Sequence, residues 1–194
     1  MLKEKLILAS QSPRRAEILT TVGWQFEAIA ANIDETRLPS EDAPTYVRRL
    51  AQTKAETVAK QIVSGGLVLG ADTVVVIHEE ILGQPRDDDD ARRMLSLLRG
   101  KWHQVVTGVA LVRRGAAQQT SVGQQTTRVL FAKLSTEQID WYVSTGEPKG
   151  KAGAYAIQGK GALLIEEIQG DYFNVVGLPI RLVFDLIGRM GSRQ

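Results

Sequence analysis

Four groups of residues in this chain have the types and spacing that phosphate chemistry uses. The first is Ser10-Gln11-Ser12-Pro13-Arg14-Arg15, which follows a short apolar run. Ser12 suits an N-cap and Pro13 a first helical position. A helix start presents free backbone N–H groups and a partial positive charge, both of which attract phosphate. Two hydroxyls and two guanidiniums add donors, the latter with the fork geometry that phosphate oxygens accept. The same residues also describe an ordinary capped helix with two solvated arginines.

The second group centres on Asp72, inside the run Val68-Leu69-Gly70-Ala71-Asp72-Thr73-Val74-Val75-Val76. An ionised carboxylate in such a run is costly unless a cation or metal meets it. A strand ending at Gly70 would turn Asp72 to solvent, but the β-branched residues beyond it continue the strand pattern and favour function. The third is Lys54. Val47, Ala51, Val58 and Ile62 recur at helical spacing, and Lys54 falls on the same stripe. A lysine there either snorkels to water or meets an anion. The fourth is Asp34-Glu35-Thr36, in a loop after a strand. Paired acids there suit Mg²⁺, which takes carboxylates, waters and phosphate oxygens; acids in loops are also commonly just solvated.

Other features carry less. Asp87-Asp88-Asp89-Asp90 has the look of a metal site but stands at a helix start, where acids complement the dipole, and is read as capping. His78 and His103 are the only histidines and lie far apart in the chain, which argues against a histidine zinc site. There is no Gly-x-Ser-x-Gly elbow and no Walker loop. The absence of cysteine excludes disulfides, thiolate metal sites and a cysteine nucleophile. Lys+Arg 24 against Asp+Glu 22 leaves a formal charge of +2, which is not the footprint of a dedicated DNA or RNA binder. The apolar stretch Leu6 to Ala9 is too short for a secretory signal, and no run approaches the roughly 20 apolar residues of a membrane span. No nucleic-acid or membrane partner is expected, and the cytoplasm is the expected location.

These groups need elements to hold them, and 194 residues allow one substantial domain, read as 1–194. Leu6-Ile7-Leu8-Ala9 reads as a buried strand feeding a helix from Pro13 to near Gly23, with Ala16, Leu19 and Val22 on one side. Phe26 to Ala30 reads as a strand, Asn32 to Asp42 as a polar loop. Pro44 opens a long helix to about Ile62, closed by Gly65-Gly66, and Val68 to Ile77 is a central strand. A helix follows over Asp88 to Leu98. Gln104–Val112 and Ser121–Phe131 pair around Arg113-Arg114-Gly115. Ser135 starts a helix, with Gln138 completing a capping box, and Gly146 ends it. A glycine-rich stretch leads to a strand at Ala162–Ile168, a turn at Gln169-Gly170-Asp171, and a closing helix from Pro179 to about Met190. Helices alternating with strands, plus one hairpin-like pair, predict α/β with a mixed sheet.

Taken in order, these residues resemble the Maf family of nucleotide pyrophosphatases. Leu8-Ala9-Ser10-Gln11-Ser12-Pro13-Arg14-Arg15 is similar to its N-terminal signature. Asp34-Glu35, Lys54 within Leu50-Ala51-Gln52-Thr53-Lys54-Ala55, and Gly70-Ala71-Asp72-Thr73 look like its successive motifs. Lys151-Ala152-Gly153-Ala154-Tyr155-Ala156-Ile157-Gln158-Gly159 and Asn174-Val175-Val176-Gly177-Leu178-Pro179 look like its last ones. The resemblance implies a two-lobed fold: an elongated mixed β-sheet flanked by helices, similar to inosine triphosphate pyrophosphatases, with a cleft between the lobes. It also implies metal-dependent hydrolysis of a nucleoside triphosphate to monophosphate and pyrophosphate, with Mg or Mn, in a protein that often forms a homodimer.

By the same resemblance, Ser10, Arg14, Arg15 and Lys54 grip the triphosphate, and Glu35 and Asp72 hold the metal. Asp72 accepts a proton from the attacking water, so Asp72, Glu35 and Lys54 form the catalytic set. Thr73 and Gln158 meet the base edge. Arg14, Thr73 and Gln158 are as in members acting on dTTP, UTP and modified uridine triphosphates, and unlike the 7-methyl-GTP branch. One departure stands out. The family usually has a lysine before the proline after the Asp72 strand, where this chain has Gln84 before Pro85. Gln84 at the substrate cannot neutralise phosphate charge. That keeps alive a second reading, a nucleotide-binding regulator of cell division with weak or no catalysis. Arg86 would share a face with Gln84 in a strand, and period-two spacing suggests it as a substitute.

Overall fold

The computed structural model of the chain describes residues 4–62, 65–114 and 118–191. The first strand, β1 (Leu6–Leu8), feeds α1 (Pro13–Thr21), which leads to β2 (Phe26–Ala28). After a loop comes α2 (Ala43–Gln61), then β3 (Leu67–Ile77) and β4 (Glu80–Leu82). Next are α3 (Asp88–Leu98), β5 (Trp102–Arg113), β6 (Gln119–Phe131) and α4 (Thr136–Ser144). Two 3₁₀ segments, Ala152–Ala154 and Gly159–Leu164, precede β7 (Ile165–Gln169), α5 (Tyr172–Val176) and α6 (Ile180–Gly191).

The strands form one seven-stranded sheet in the order β2-β1-β3-β5-β6-β7, with β4 pairing β3. β1 runs parallel to β2 (Leu6 opposite Phe26) and to β3 (Leu8 opposite Leu69). β4 returns antiparallel on β3, and β7 antiparallel on β6. The expected mixed α/β sheet is therefore what the chain forms.

The chain divides into two compact units. The first comprises Met1–Asp72, Thr107–Gln125 and Gly177–Gln194; the second comprises Thr73–Val106 and Thr126–Val176. A core of the first unit packs Ile7, Val58, Val68, Ala110 and Val112 around Ala51, Ala55 and Ala59. Arg114 Nη1 closes α2 by donating to the Ile62 carbonyl at 2.9 Å. The core of the second unit gathers Val75, Leu82, Leu95, Phe131, Tyr142 and Leu164. Inside it His103 Nε2 and the Tyr155 hydroxyl share a 2.7 Å hydrogen bond, with the Phe131 ring edge-on to both.

Local caps set the starts of α3 and α4. Ser135 accepts from Gln138 N while the Gln138 side chain accepts from Ser135 N, the expected capping box. Asp87 accepts from Asp90 N at 2.7 Å, so the acidic run caps α3 as read.

Several expectations change. Ser12 stands at the N-cap of α1 but makes no side-chain cap; its N–H donates instead to Ser10 Oγ at 3.2 Å. Val22 is exposed and Ile18 is buried. The strand expected over Ala162–Ile168 starts only at Ile165, because Gly159–Leu164 wind into 3₁₀ turns. The short β4 arm had no glycine or asparagine turn to announce it, since His78 and Glu79 themselves take positive φ (48° and 66°). Asp171, read as part of a turn, starts α5, its carboxylate accepting from Phe173 N at 2.8 Å. The loop residue Gly115 lies outside the described residues.

Candidate functional site

The placement of Lys54 begins with two glycines. A Cβ at Gly70 would stand 2.1 Å from the Ala51 carbonyl oxygen, and one at Gly108 2.2 Å from that of Val47. Helix α2 thus rests backbone-to-backbone on β3 and β5, with Ala55 keeping the helix side of the contact thin. This close approach draws Lys54 down to β3, where Asp72 follows Gly70 by two residues. On a strand, positions two apart share a face.

Lys54 and Asp72 are each only 8% exposed. Lys54 Nζ donates to Asp72 Oδ1 at 2.6 Å and pairs with Glu35 Oε1 at 2.7 Å. The two carboxylates therefore meet on one ammonium, and the lysine on the apolar stripe meets anions rather than snorkelling. β3 continues past Asp72 to Ile77, which rules out the strand end at Gly70. Burial pushes the Asp72 carboxyl above its ordinary 3.8, against the pull of Lys54 and Arg15. Glu35 is the open side of the trio, its side chain 53% exposed.

Ser10 and Arg15 form the neighbouring wall. Arg15 Nη1 donates to Ser10 Oγ at 3.0 Å and Arg15 Nε to the Gly177 carbonyl at 2.9 Å. Loss of water lowers the Arg15 pKa, and the charge of Asp72 opposes that shift, so the two groups sense one another. Arg14 is half-buried on the same first turn of α1. The structure thus brings Ser10, Arg15, Lys54, Glu35 and Asp72 together in the first unit, with Arg14 beside them.

Thr73, Gln84 and Gln158 belong to the second unit. Thr73 is half-buried and follows Asp72 in β3, Gln84 is exposed in the loop after β4, and Gln158 is half-buried at the start of a 3₁₀ segment. The substitution suggested for Arg86 loses its premise. Residues 83–87 are not a strand, so period-two spacing does not apply. The Arg86 side chain is 82% exposed and pairs with Asp90 Oδ2 at 3.2 Å, at the start of α3.

Sequence reasoning missed the residues that hold Glu35. Tyr46 donates its hydroxyl to the Glu35 carbonyl at 2.7 Å, and Arg49 Nη2 donates to the Thr36 carbonyl at 3.0 Å. Arg49 is itself forked onto buried Glu41, at 2.6 and 2.8 Å. Their signal was positional: Tyr46 and Arg49 lie one turn apart on the helix that carries Lys54.

Among the described residues no three His, Cys, Asp or Glu side chains form a ready metal cage. Mg²⁺ does not require one; it binds through one or two carboxylates with waters and substrate phosphates. Glu35 and Asp72 offer such hard oxygen donors, no farther apart than one shared ammonium spans, so the donor set fits.

A model of the family described as Maf-like protein matches residues 5–190. The chain belongs to the Maf family. This Maf chain is 50% identical over 188 residues to a dTTP/UTP pyrophosphatase of Pseudoalteromonas atlantica, covering 95% of this chain and 96% of that one. It is 48% identical over 186 residues to one of Thermoanaerobacter sp. (strain X514), covering 95% and 96%. With one of Syntrophus aciditrophicus it shares 48% over 193 residues, covering 99% and 93%. Among solved structures, a HAM1 protein from Coxiella burnetii superposes with a TM-score of 0.51 at 14% identity, covering 95% of this chain and 99% of that one. At that identity the likeness speaks for the fold alone.

Proposed function

We propose that this Maf chain hydrolyses dTTP, UTP and modified uridine triphosphates to the monophosphate and pyrophosphate, with Mg²⁺ or Mn²⁺, clearing the cytoplasmic nucleotide pool. Its family and its near-full-length relatives make it a nucleoside triphosphate pyrophosphatase. The observation that carries the reading of the site is the buried Lys54 ammonium held between Glu35 and Asp72, beside Arg15.

In this reading Arg14, Arg15 and Ser10 bind phosphate oxygens by charge and hydrogen bonding. Lys54 turns two of its three donors to the carboxylates and keeps polyanion and acids in register. Asp72, kept more basic by burial, takes the proton of the attacking water. Glu35 and Asp72 would hold the divalent ion, which supplies acidity to bound water and neutralises developing charge. Thr73 and Gln158 meet the base edge, where a site built for hydrogen bonds discriminates strongly.

The test is pyrophosphate release across canonical and modified triphosphates with each metal. UTP and dTTP should lead the panel, and Asp72→Asn should lower turnover by more than about 10²-fold. Full activity in that variant would remove Asp72 from the reaction. Gln84 motivates the second reading, a regulator with weak catalysis, which tight UTP binding without pyrophosphate release would favour.

A further inference from the structure

Residues 29–42 contain no helix or strand, yet Glu35 must be held at a fixed height over Lys54 and Asp72 if it shares their work. Backbone of that kind is placed by whatever bonds reach it. Two consecutive carbonyls, those of Glu35 and Thr36, accept from Tyr46 and Arg49, and both donors stand on α2. Arg49 cannot swing freely, because its guanidinium is forked onto Glu41 and lies 5.6 Å from the Tyr46 ring centroid. Glu41 is itself pinned: Leu38 N donates to its carboxylate at 3.0 Å, and Arg37 Nε donates to its carbonyl at 2.9 Å. The same helix carries Lys54, which takes the Glu35 side chain. One rigid element therefore holds Glu35 twice, by main chain and by carboxylate.

We propose that Tyr46 and Arg49 are positioning residues that set the Glu35 carboxylate over Lys54 and Asp72, so that they influence turnover through Glu35. The inference rests on the proposed role of Glu35 in the hydrolysis. It separates the clamp from a merely structural contact, since a contact that only stabilised the loop would act whether or not residue 35 carried a carboxylate.

A double-mutant cycle tests this. Tyr46→Phe removes one hydroxyl and no packing, and should lower kcat/KM for UTP with Mn²⁺ about tenfold, the worth of one positioning hydrogen bond. In a Glu35→Gln background the same change should have no further effect, because interacting residues couple and independent ones add. Arg49→Lys, which keeps the charge and loses the fork, should behave likewise. Binding of Mn²⁺ alone, followed by calorimetry, supplies a readout apart from activity. Tyr46→Phe should weaken it in the wild-type background only. Equal factors in both backgrounds, or no effect in either readout, would overturn the proposal while leaving the role of Glu35 intact. If Glu35→Gln itself changed neither turnover nor Mn²⁺ binding, the reading of Glu35 would fall, and the clamp with it.

Discussion

Two buried carboxylates, one in each unit, live under opposite regimes. Both are nearly covered, Asp72 at 8% exposed and Asp90 at 6%, but loss of water dominates at Asp72 and is a minor effect at Asp90, where hydrogen bonds lead. Asp72 takes its hydrogen bond from Lys54, and loss of water pushes its pKa above 3.8. Asp90 accepts from the N–H and Nε of Arg86 and from Nε of Arg93, and is pulled down to about 2. An acid that serves structure is saturated with donors and rests in its charged form. One that is left undersupplied keeps its basicity at some cost in stability, which is what a proton acceptor needs.

The widest gap between the two should appear in turnover. Asp72→Asn should abolish most of it, while Asp90→Asn should leave pyrophosphate release unchanged. Heat should reverse the ranking. A neutral amide relieves the burial cost at Asp72, so that variant should melt at or above the wild-type Tm. Asp90→Asn loses charge-assisted bonds and should melt about 5 °C lower. Calorimetric scans showing both variants lowered alike would end the contrast.

A second break targets how each acid is placed. Gly70→Ala drives a methyl into the Ala51 carbonyl and should cost about 3 kcal/mol, or about 6–12 °C in Tm. Gly83→Ala meets nothing within 4 Å and should melt near wild type. Equal melting of the two would mean that α2 does not depend on touching β3 at Gly70.

The smallest effects lie in pH dependence. Burial holds His103 at about 4, below its ordinary 6.5, so the unfolded chain takes up that proton first as pH falls. The stability it contributes is complete above 6.5 and is lost between 6.5 and about 4. Asp90 loses its contribution lower, between 3.8 and about 2. Asp72 has the opposite sign: its raised pKa means that protonation favours the folded chain as the medium acidifies. His103→Leu should therefore flatten urea-measured stability between pH 6.5 and 4, and an unchanged slope would assign that loss to another group.

The parts legible in the sequence were those written in local bonds. Ser135 with Gln138, Asp87 with Asp90, and the glycine after α4 announce their helix ends because each cap closes within three residues. The apolar stripe of α2 announced that Lys54 faced inward. Less legible was β4, whose turn uses His78 and Glu79 at positive φ, and the 3₁₀ stretch before β7, where apolar Leu163 and Leu164 imitate a strand. Arg86 misled because period-two spacing was applied to a loop.

The sequence by itself determined the capped starts of α3 and α4, and it put a lysine on the apolar stripe of a helix and an aspartate within an apolar run. It could not name their partners. Lys54 meets Asp72 because Gly70 and Gly108 let α2 sink onto the sheet, and Arg15 meets the Gly177 carbonyl, 162 residues along the chain. A cap is a bond between near neighbours and is read from spacing. The partner of a buried charge depends on which distant strand the helix lies against, and that is settled only when the whole core packs.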